Sequence, residues 1–201
     1  MQIPYEEGKV YHIYNRTNGK ERLFLEERNY HFFLNKYSFY TNSFVDTYAI
    51  CLIPNHFHAM IRIKALSDIE QKAGLKTISK YNDFSLMISH QFSRLFSCFS
   101  QAFNKVYYRH GSLFQPKMKR KLVERDDYFT SLALYIHQNP LKHGLVKNLY
   151  DWPYNSIHYY RSQSHLFEKL ITDSHLIDWF GGTESLLKQH ETYKGLKSAF
   201  E

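Results

Sequence analysis

This 201-residue chain has few cysteines, no long apolar run and a shortage of acidic side chains. Cys51 and Cys98 stand alone in apolar segments, which argues against a disulfide framework or a Cys-x-x-Cys zinc site. No apolar stretch is long enough to span a bilayer, and residues 1–7 lack the basic start and apolar run of a signal peptide. These absences predict a cytoplasmic protein with no membrane partner.

The charge balance and the aromatic content favour a polyanionic partner. Lysine and arginine together number 26 against 19 aspartates and glutamates, which leaves a formal net charge of +7 at pH 7. The 17 tyrosines and 16 phenylalanines can build a core or stack on unpaired bases. A basic and aromatic chain suits single-stranded nucleic acid, although many ordinary basic proteins share this balance.

Residues 54–63 alternate with the period of two that a half-buried strand requires. One face is wholly apolar, with Phe57, Ala59, Ile61 and Ile63. The other face carries His56, His58, Met60 and Arg62. Two imidazoles two residues apart on a strand point the same way and can hold one divalent cation between them. Two polar residues on the wet face of a strand give the same pattern, so the histidine pair alone leaves both interpretations open.

Periodicity elsewhere predicts further strands and helices. Strands are expected over residues 9–17, 44–53 and 117–123, and amphipathic helices over 26–41, 84–104 and 126–138. The order of these elements is that of a split βαβ, ferredoxin-like sandwich, an α+β fold with an antiparallel sheet. Two helices close one face of the sheet, and the third lies over the histidine face.

Several local features refine this prediction. The strand over 44–53 is apolar on both faces apart from Asp46 and Thr47, which predicts a central strand that pairs with the histidine strand as a hairpin. Residues 65–82 are polar without a sustained period and predict a surface excursion. Pro140 predicts that the third helix ends about Asn139. Residues 161–201 are expected to form a helical extension, beside a domain of residues 1–160.

Three further segments accompany the histidine strand Pro54-Asn55-His56-Phe57-His58. They are Tyr14-Asn15-Arg16, then Tyr135-Ile136-His137-Gln138-Asn139-Pro140 with Lys142-His143-Gly144-Leu145-Val146, and then Asp151-Trp152-Pro153-Tyr154. In order and rough spacing this set resembles the HUH single-strand endonucleases, and within them the REP-associated tyrosine transposases, which are relatives of the single-tyrosine insertion-sequence transposases. The resemblance covers about residues 8–160.

The resemblance implies a metal-dependent endonuclease and strand transferase, a transposase-like enzyme acting on single-stranded or hairpin DNA as a monomer or homodimer. Tyr135 takes the position of the nucleophile that forms a 5′-phosphotyrosine. Mg²⁺ or Mn²⁺ would be held by His56, His58 and the amide of Asn139, which lies on the same helix face as Tyr135. Some relatives have glutamine there, so the shorter Asn139 leaves open direct ligation or ligation through water. His137, off that face, is expected at the surface.

Basic side chains near these segments are candidate DNA contacts. The basic edge formed by Lys117, Lys119, Arg120 and Lys121 is expected to contact phosphates, although lysines also protect a sheet edge from aggregation. Alternation places Arg120 opposite the three lysines. The other candidates are Arg16, Lys142 and His143.

Two other function classes stay open. A non-catalytic nucleic-acid-binding module would stack bases on aromatic side chains, need no metal and tolerate Tyr135→Phe. A hydrolytic metalloenzyme would hold zinc with His56, His58 and a carboxylate such as Asp46. Tyr135 also shares a helix stripe with Tyr128 and Leu132, which suits simple packing.

Overall fold

Strands and helices follow one another in the order that the sequence predicts. A computed structural model describes residues 3–19, 21–73, 83–171 and 174–193. In chain order its elements are β1 (Val10–Arg16), α1 (Glu27–Thr41), β2 (Val45–Ile53), β3 (His56–Ile63), α2 (Leu66–Ala73), α3 (Phe84–Val106), β4 (Lys119–Val123), α4 (Asp126–Lys142), a 3₁₀ turn (Leu149–Asp151), α5 (Ile157–Ser162), α6 (His165–Glu168), α7 (His175–Trp179) and α8 (Thr183–Thr192). Within these ranges, no helix is both long and apolar enough to cross a membrane.

The four strands form one antiparallel sheet in the spatial order β2-β3-β1-β4. β1 and β2 run in the same direction on either side of β3 and are connected through α1, which is the split βαβ arrangement. Helices α1 and α3 cover one face of the sheet, and α4 packs against β2 and β3 on the other. The predicted ferredoxin-like α+β fold, with a helix over the histidine face, is confirmed.

Phenylalanine rings fill the space between the sheet and helices α1 and α3. The ring centroid of Phe57 on β3 lies 5.3 Å from that of Phe33 on α1 and 5.9 Å from that of Phe96 on α3. Phe33 also meets Phe99 edge to face at 5.4 Å. Burying one such side chain contributes roughly 1.5–3 kcal/mol, and tilted ring pairs add to this. These rings therefore belong to the core and are not a stacking surface for bases.

β2 lies at the edge of the sheet, so the prediction of a central strand is wrong. Both of its faces are nonetheless buried along the whole strand. The outer edge is covered by a later segment, since Leu52 N–H donates to the Tyr154 carbonyl at 3.0 Å and Ser156 N–H donates to the Ile50 carbonyl at 2.9 Å. An edge strand covered in this way has the same apolar sequence as a central one, which explains the error.

Helix α4 continues through Pro140 and ends at Lys142, beyond the predicted end about Asn139. Proline disfavours helical geometry in the preceding residue by a preference that packing can outweigh, and both Asn139 and Pro140 are buried. The backbone N–H of His143 donates to the Asn139 carbonyl at 3.1 Å, which extends the helical bonding past the proline. The three extra residues bring Lys142 and His143 back toward the sheet.

The predicted surface excursion over residues 65–82 begins with α2, not with an irregular loop. Ile69 of this helix is fully buried in the core, so one apolar side chain suffices to anchor a segment whose composition is otherwise polar. Residues 74–82 lie outside the described residues.

His137 is fully buried, so its expected surface position is wrong. Its Nδ1 lies 2.7 Å from His190 Nε2 on α8, and its Nε2 lies 2.8 Å from Ser156 Oγ. His190 Nδ1 faces the Leu186 carbonyl at 2.7 Å and must donate to it. Consequently His137 Nδ1–H donates to His190 Nε2, and the Ser156 hydroxyl donates to His137 Nε2. This directed chain of hydrogen bonds joins α8 to the outer side of α4.

The described residues after 160 pack into the same core as the rest of the chain. Phe167, Leu176 and Leu186 are fully buried. Gln138 Nε2 on α4 donates to the carbonyls of His190 and Tyr193 at 2.7 and 2.8 Å, which satisfies carbonyls at the end of α8. The division into a domain of residues 1–160 and an extension of 161–201 stays a prediction.

Burial of His137 and His190 makes the folded state less stable in acid. Burial lowers the pKa of His190 to about 4. Burial also lowers the pKa of His137 well below its ordinary value, and repulsion from His190 and His158 lowers it further. The unfolded chain therefore binds these protons first, and stability is lost as pH falls from about 6.5 toward 4. From pH 7 to pH 5, His190 alone accounts for a loss of about 2 kcal/mol.

Urea unfolding at pH 7 and pH 5 of the wild type and of His190→Gln measures this loss. Glutamine keeps one donor and one acceptor but does not titrate. The pH-dependent drop in unfolding free energy should shrink by about 2 kcal/mol in His190→Gln. An equal drop in both proteins would show that His190 is not buried in the neutral form.

Candidate active site

Side chains of β1 and β3 share the face of the sheet that α4 covers. The register pairs Tyr14 with His58 and Arg16 with His56, and residues opposite each other on antiparallel strands point to the same face. His12, two residues before Tyr14, lies on this face as well. Strand pairing thus adds three side chains to the two histidines that alternation alone selects.

His12 is bonded directly to His58. His12 Nε2 and His58 Nδ1 are 2.8 Å apart, and both side chains are buried. The Tyr14 ring stacks on both imidazoles, with centroid distances of 4.8 Å to His12 and 5.2 Å to His58. Sequence reasoning missed His12, although its alternation with Tyr14 and the adjacency of β1 and β3 in a ferredoxin-like sheet carried the signal.

Both buried imidazoles are neutral at physiological pH. Burial lowers the pKa of His12 to about 3, and the positive charge of Lys121 lowers it further. Burial also lowers the pKa of His58 well below its ordinary value, with added repulsion from His12, His56, His143 and Lys142. A neutral imidazole is the form that binds a metal ion.

Helix α4 packs against β3, and Tyr135 of this helix and His143 just after it contact His58 and His56. The Tyr135 ring meets His58 edge to face at a centroid distance of 5.4 Å, and the His143 ring lies 4.9 Å from His56. Tyr135 is only 4% exposed, and Lys142 Nζ lies 4.8 Å from its ring centroid. The contacts of Tyr135 and His143, which lie two helical turns apart, fix the position of the residues between them.

Asn139 lies one helical turn from Tyr135 and one turn from His143, and so faces the histidine pair between them. Its side chain is 1% exposed, and within the described part of the chain neither Oδ1 nor Nδ2 has a hydrogen-bond partner. Leaving a buried polar group unsatisfied costs about 1–3 kcal/mol. The amide therefore fits a site that a ligand completes.

The tautomers of the histidine pair suit a metal site that includes this amide. His56 Nδ1 lies 2.9 Å from Asn55 Oδ1 and donates to it, which places the lone pair on Nε2. The His12 contact likewise occupies Nδ1 of His58. The residue types and their burial therefore fit a divalent ion held by His56, His58 and Asn139.

A histidine-and-carboxylate zinc site finds no support among the described residues, which hold no group of three or more His, Cys, Asp or Glu side chains suited to a metal ion. Asp46 is instead paired with Arg62 at 2.7 Å and with Lys64 at 3.3 Å. Arg62 is four residues from His58 along β3, or about 13 Å. The alternative of a zinc hydrolase that uses Asp46 therefore lacks its third ligand.

A cleft of about 400 Å³ opens over the histidine pair. It is lined by Tyr14, Asn15, Arg16, Asn55, His56, His58, Gln115, Lys119 and His143, and none of these described residues is acidic. Arg16 and Lys119 are exposed at its rim. The cleft therefore joins the imidazoles of His56 and His58 to the positive charges of Arg16 and Lys119, which suits an anionic ligand.

Known proteins are similar to this chain in sequence and in structure. A Haemophilus influenzae protein named "Putative REP-associated tyrosine transposase" is 29% identical over 118 residues, which are 56% of this chain and 59% of that protein. The resemblance to the REP-associated tyrosine transposases is confirmed. The match spans less than two thirds of the relative's length. No family model matches the chain.

A solved structure titled "Structure of the REP associates tyrosine transposase bound to a REP hairpin" has the same fold as this chain. The TM-score is 0.60 at 18% sequence identity, and the match covers 86% of this chain and 93% of that one. The coverage extends the shared fold well beyond the 118 residues of the sequence match.

The predicted DNA contacts fall into two groups in the structure, those on the face that carries His58 and those outside it. Arg16, Lys119 and His143 line the cleft. Lys142 lies on the Tyr135 ring, and Lys121 is in register with His12 on the same face. Lys117 lies outside the cleft, in a separate groove of about 420 Å³.

Arg120 points to the side of the sheet opposite Lys119 and Lys121, as alternation predicts, and its role as a DNA contact stays a prediction. Its guanidinium carbon lies 4.0 Å from the Tyr5 ring centroid, and its Nη1 donates to Ser89 Oγ at 3.1 Å. Alternation along β4 reverses the direction of each successive side chain. Arg120 therefore holds the segment before β1 and helix α3 against the sheet.

Replacement of Arg120 should lower stability, whereas replacement of its neighbour should not. Arg120→Ala removes a cation–π contact and a hydrogen bond and is expected to cost about 1–2 kcal/mol of unfolding free energy. Lys119→Ala removes an exposed side chain and should change it by less than about 0.5 kcal/mol. Urea unfolding at pH 7 measures both, and equal effects would contradict the two orientations.

Proposed function

We propose that this chain is a metal-dependent single-strand DNA endonuclease and strand transferase that acts on DNA hairpins through a 5′-phosphotyrosine. The observation that carries the proposal is the edge-to-face contact of Tyr135 with His58. This contact supports the proposal because the candidate nucleophile Tyr135 and the buried Asn139 amide lie on the helix that packs over His58, which lines a basic cleft. The names of the similar proteins support the same class of activity.

The residues that line the cleft favour a nucleic-acid substrate. Arg16 and Lys119 at its rim attract phosphates, and the absence of acidic residues from the described lining favours a polyanion over a neutral ligand. Tyr14 offers a ring at the wall on which an unpaired base can stack. A folded hairpin with a single-stranded foot presents both kinds of group, and the similar solved structure is described as bound to a REP hairpin.

Tyr135 supplies the covalent step. Its phenol oxygen attacks the phosphorus of a backbone phosphodiester and loses its proton, while the bond from phosphorus to the 3′ oxygen breaks and that oxygen gains a proton. The products are a 5′-phosphotyrosine and a free 3′-OH. A later attack by a 3′-OH on the phosphotyrosine reverses the exchange, so no nucleotide cofactor is required.

The remaining side chains bind and orient the reacting phosphate. Mg²⁺ or Mn²⁺ held by His56, His58 and Asn139 would supply Lewis acidity at a phosphate oxygen. Arg16 and Lys119 hold the flanking phosphates at the cleft rim. Two neutral imidazoles suit Mn²⁺ better than Mg²⁺, which prefers oxygen ligands.

Tyr135 must turn toward the cleft before it can react. Its ring is 4% exposed and does not line the cleft. Lys142, whose ammonium lies on that ring, has to move with it, and a bound phosphate competes for the same positive charge. DNA binding therefore favours the arrangement in which the phenol is accessible.

Covalent trapping tests the chemistry. End-labelled hairpins from the chain's own genomic neighbourhood, incubated with the protein and Mn²⁺ or Mg²⁺, should give a metal-dependent protein–DNA band on a denaturing gel. Tyr135→Phe should abolish that band, because phenylalanine has no attacking oxygen, and His56→Ala and His58→Ala should weaken it. Tyr108→Phe, at a residue that is 92% exposed, is the matched control and should retain it.

The outcome also separates the rival functions. Salt-sensitive hairpin binding without any adduct, unchanged in Tyr135→Phe, would favour the non-catalytic binding module. An adduct that persists in Tyr135→Phe would assign the nucleophile to another residue.

The salt dependence of hairpin binding tests which face of the sheet contacts DNA. Lys119 lines the cleft, whereas Arg120 lies on the other side of the sheet. In the absence of metal, Lys119→Ala should weaken hairpin binding and lower the slope of log K against log salt by about 0.7–1. Arg120→Ala, measured at low temperature where both variants are folded, should leave the slope unchanged. A reduced slope in Arg120→Ala with a normal slope in Lys119→Ala would reverse the assignment of faces.

A further inference from the structure

We infer that His12 is a positioning residue: it accepts a hydrogen bond from Nδ1–H of His58 and thereby fixes His58 with Nε2 toward the cleft as its metal-binding nitrogen. The inference rests on the proposed function, because it assigns a partner to one of the proposed ligands. It adds a third histidine, from a different strand, to the machinery of the site.

The placement of the two rings determines which nitrogen of His58 is involved. His58 lines the cleft, whereas His12 is fully buried behind it. Nδ1 of His58 is directed at His12 Nε2, 2.8 Å away, so Nε2 is the nitrogen left for the cleft. A neutral imidazole with a lone pair on Nε2 carries its proton on Nδ1, and that proton must then be donated to His12.

His12 is suited to accept that hydrogen bond. Its ring is fully buried, and its Nε2 is the atom directed at Nδ1 of His58. In proteins, metal-binding histidines donate their second N–H to a carboxylate, a carbonyl or a water, and this contact fixes tautomer and ring orientation. Here an imidazole acceptor does this without bringing negative charge into a cleft that binds anions.

His12 is not itself a third ligand of the same ion. Its Nε2 is directed at Nδ1 of His58, whereas Nε2 of His58 is the nitrogen that would hold the ion. The 2.8 Å separation from Nε2 of His12 to Nδ1 of His58 is the length of a hydrogen bond. The described residues also show no group of three histidines or carboxylates suited to a metal ion.

Packing is the alternative role for His12, and a pair of substitutions separates it from positioning. The ring stacks on Tyr14 and His58 and lies edge-on to Tyr135 at 6.4 Å. His12→Phe keeps a ring in this stack but removes the acceptor. His12→Gln gives up the ring but places an amide oxygen near the position of Nε2, where it can accept the His58 proton.

The experiment has two readouts on the full chain. Long-range ¹H–¹⁵N spectra of the metal-free protein report the His58 tautomer, and electron paramagnetic resonance of free Mn²⁺ reports metal affinity. We expect His58 protonated on Nδ1 in the wild type and in His12→Gln, but not held in that tautomer in His12→Phe. The Mn²⁺ affinity of His12→Phe should fall about 10–100-fold, with most of it restored in His12→Gln.

Each outcome bears on a separate statement. Wild-type protein with His58 protonated on Nε2 overturns the inference whatever the variants do, including a variant that fails to fold. Equal Mn²⁺ affinity in the wild type and His12→Phe overturns it as well. Wild-type protein that has the Nδ1–H tautomer yet binds no Mn²⁺, alone or with a hairpin, instead overturns the metal-dependent function itself.

Discussion

The packing of α4 across the histidine face of the sheet is the contact on which the site depends. On its inner side the helix meets β3 through Tyr135 and His58. On its outer side His137 is bonded to His190 of α8. A helix clamped from both sides has little freedom to rotate about its axis, and rotation by one residue would carry Tyr135 and Asn139 away from the histidine pair. The short C-terminal helices are therefore part of what holds the site in register.

The proposed metal ligands carry no negative charge and lie beside a positively charged cleft. In the proposed function, the two histidine imidazoles and the Asn139 amide would offer a divalent cation no compensating negative charge, and the nearby Arg16 and Lys119 would repel it. A DNA phosphate would supply the missing negative charge and an oxygen ligand. Metal and DNA should therefore bind with positive coupling, and by linkage each raises the affinity for the other by the same factor.

The fold and the placement of His56 beside His58 follow from local sequence pattern. The other contacts of the site depend on tertiary packing. Alternation along a strand placed His56 and His58 together and set Arg120 opposite the lysines, because the period of a strand is a local property. The contact of His12 with His58 requires the register between two strands, which pattern along one of them does not contain. The helix pattern predicts a surface position for His137, because a single helix does not reveal that α8 covers its outer side. The apolar sequence of β2 was ambiguous for the same reason.

The hydrogen bonds that cover the edge of β2 join residues far apart in the chain, and this affects how the chain folds. Ile50 and Leu52 are bonded to residues 154–156, about a hundred positions later, and β1 pairs with β4 at a similar separation. Contacts so distant along the chain close slowly, because the loop entropy is lost before the contact forms. During synthesis the apolar edge of β2 stays uncovered until residues 154–156 have left the ribosome. This interval is when the chain is most exposed to aggregation or most in need of a chaperone.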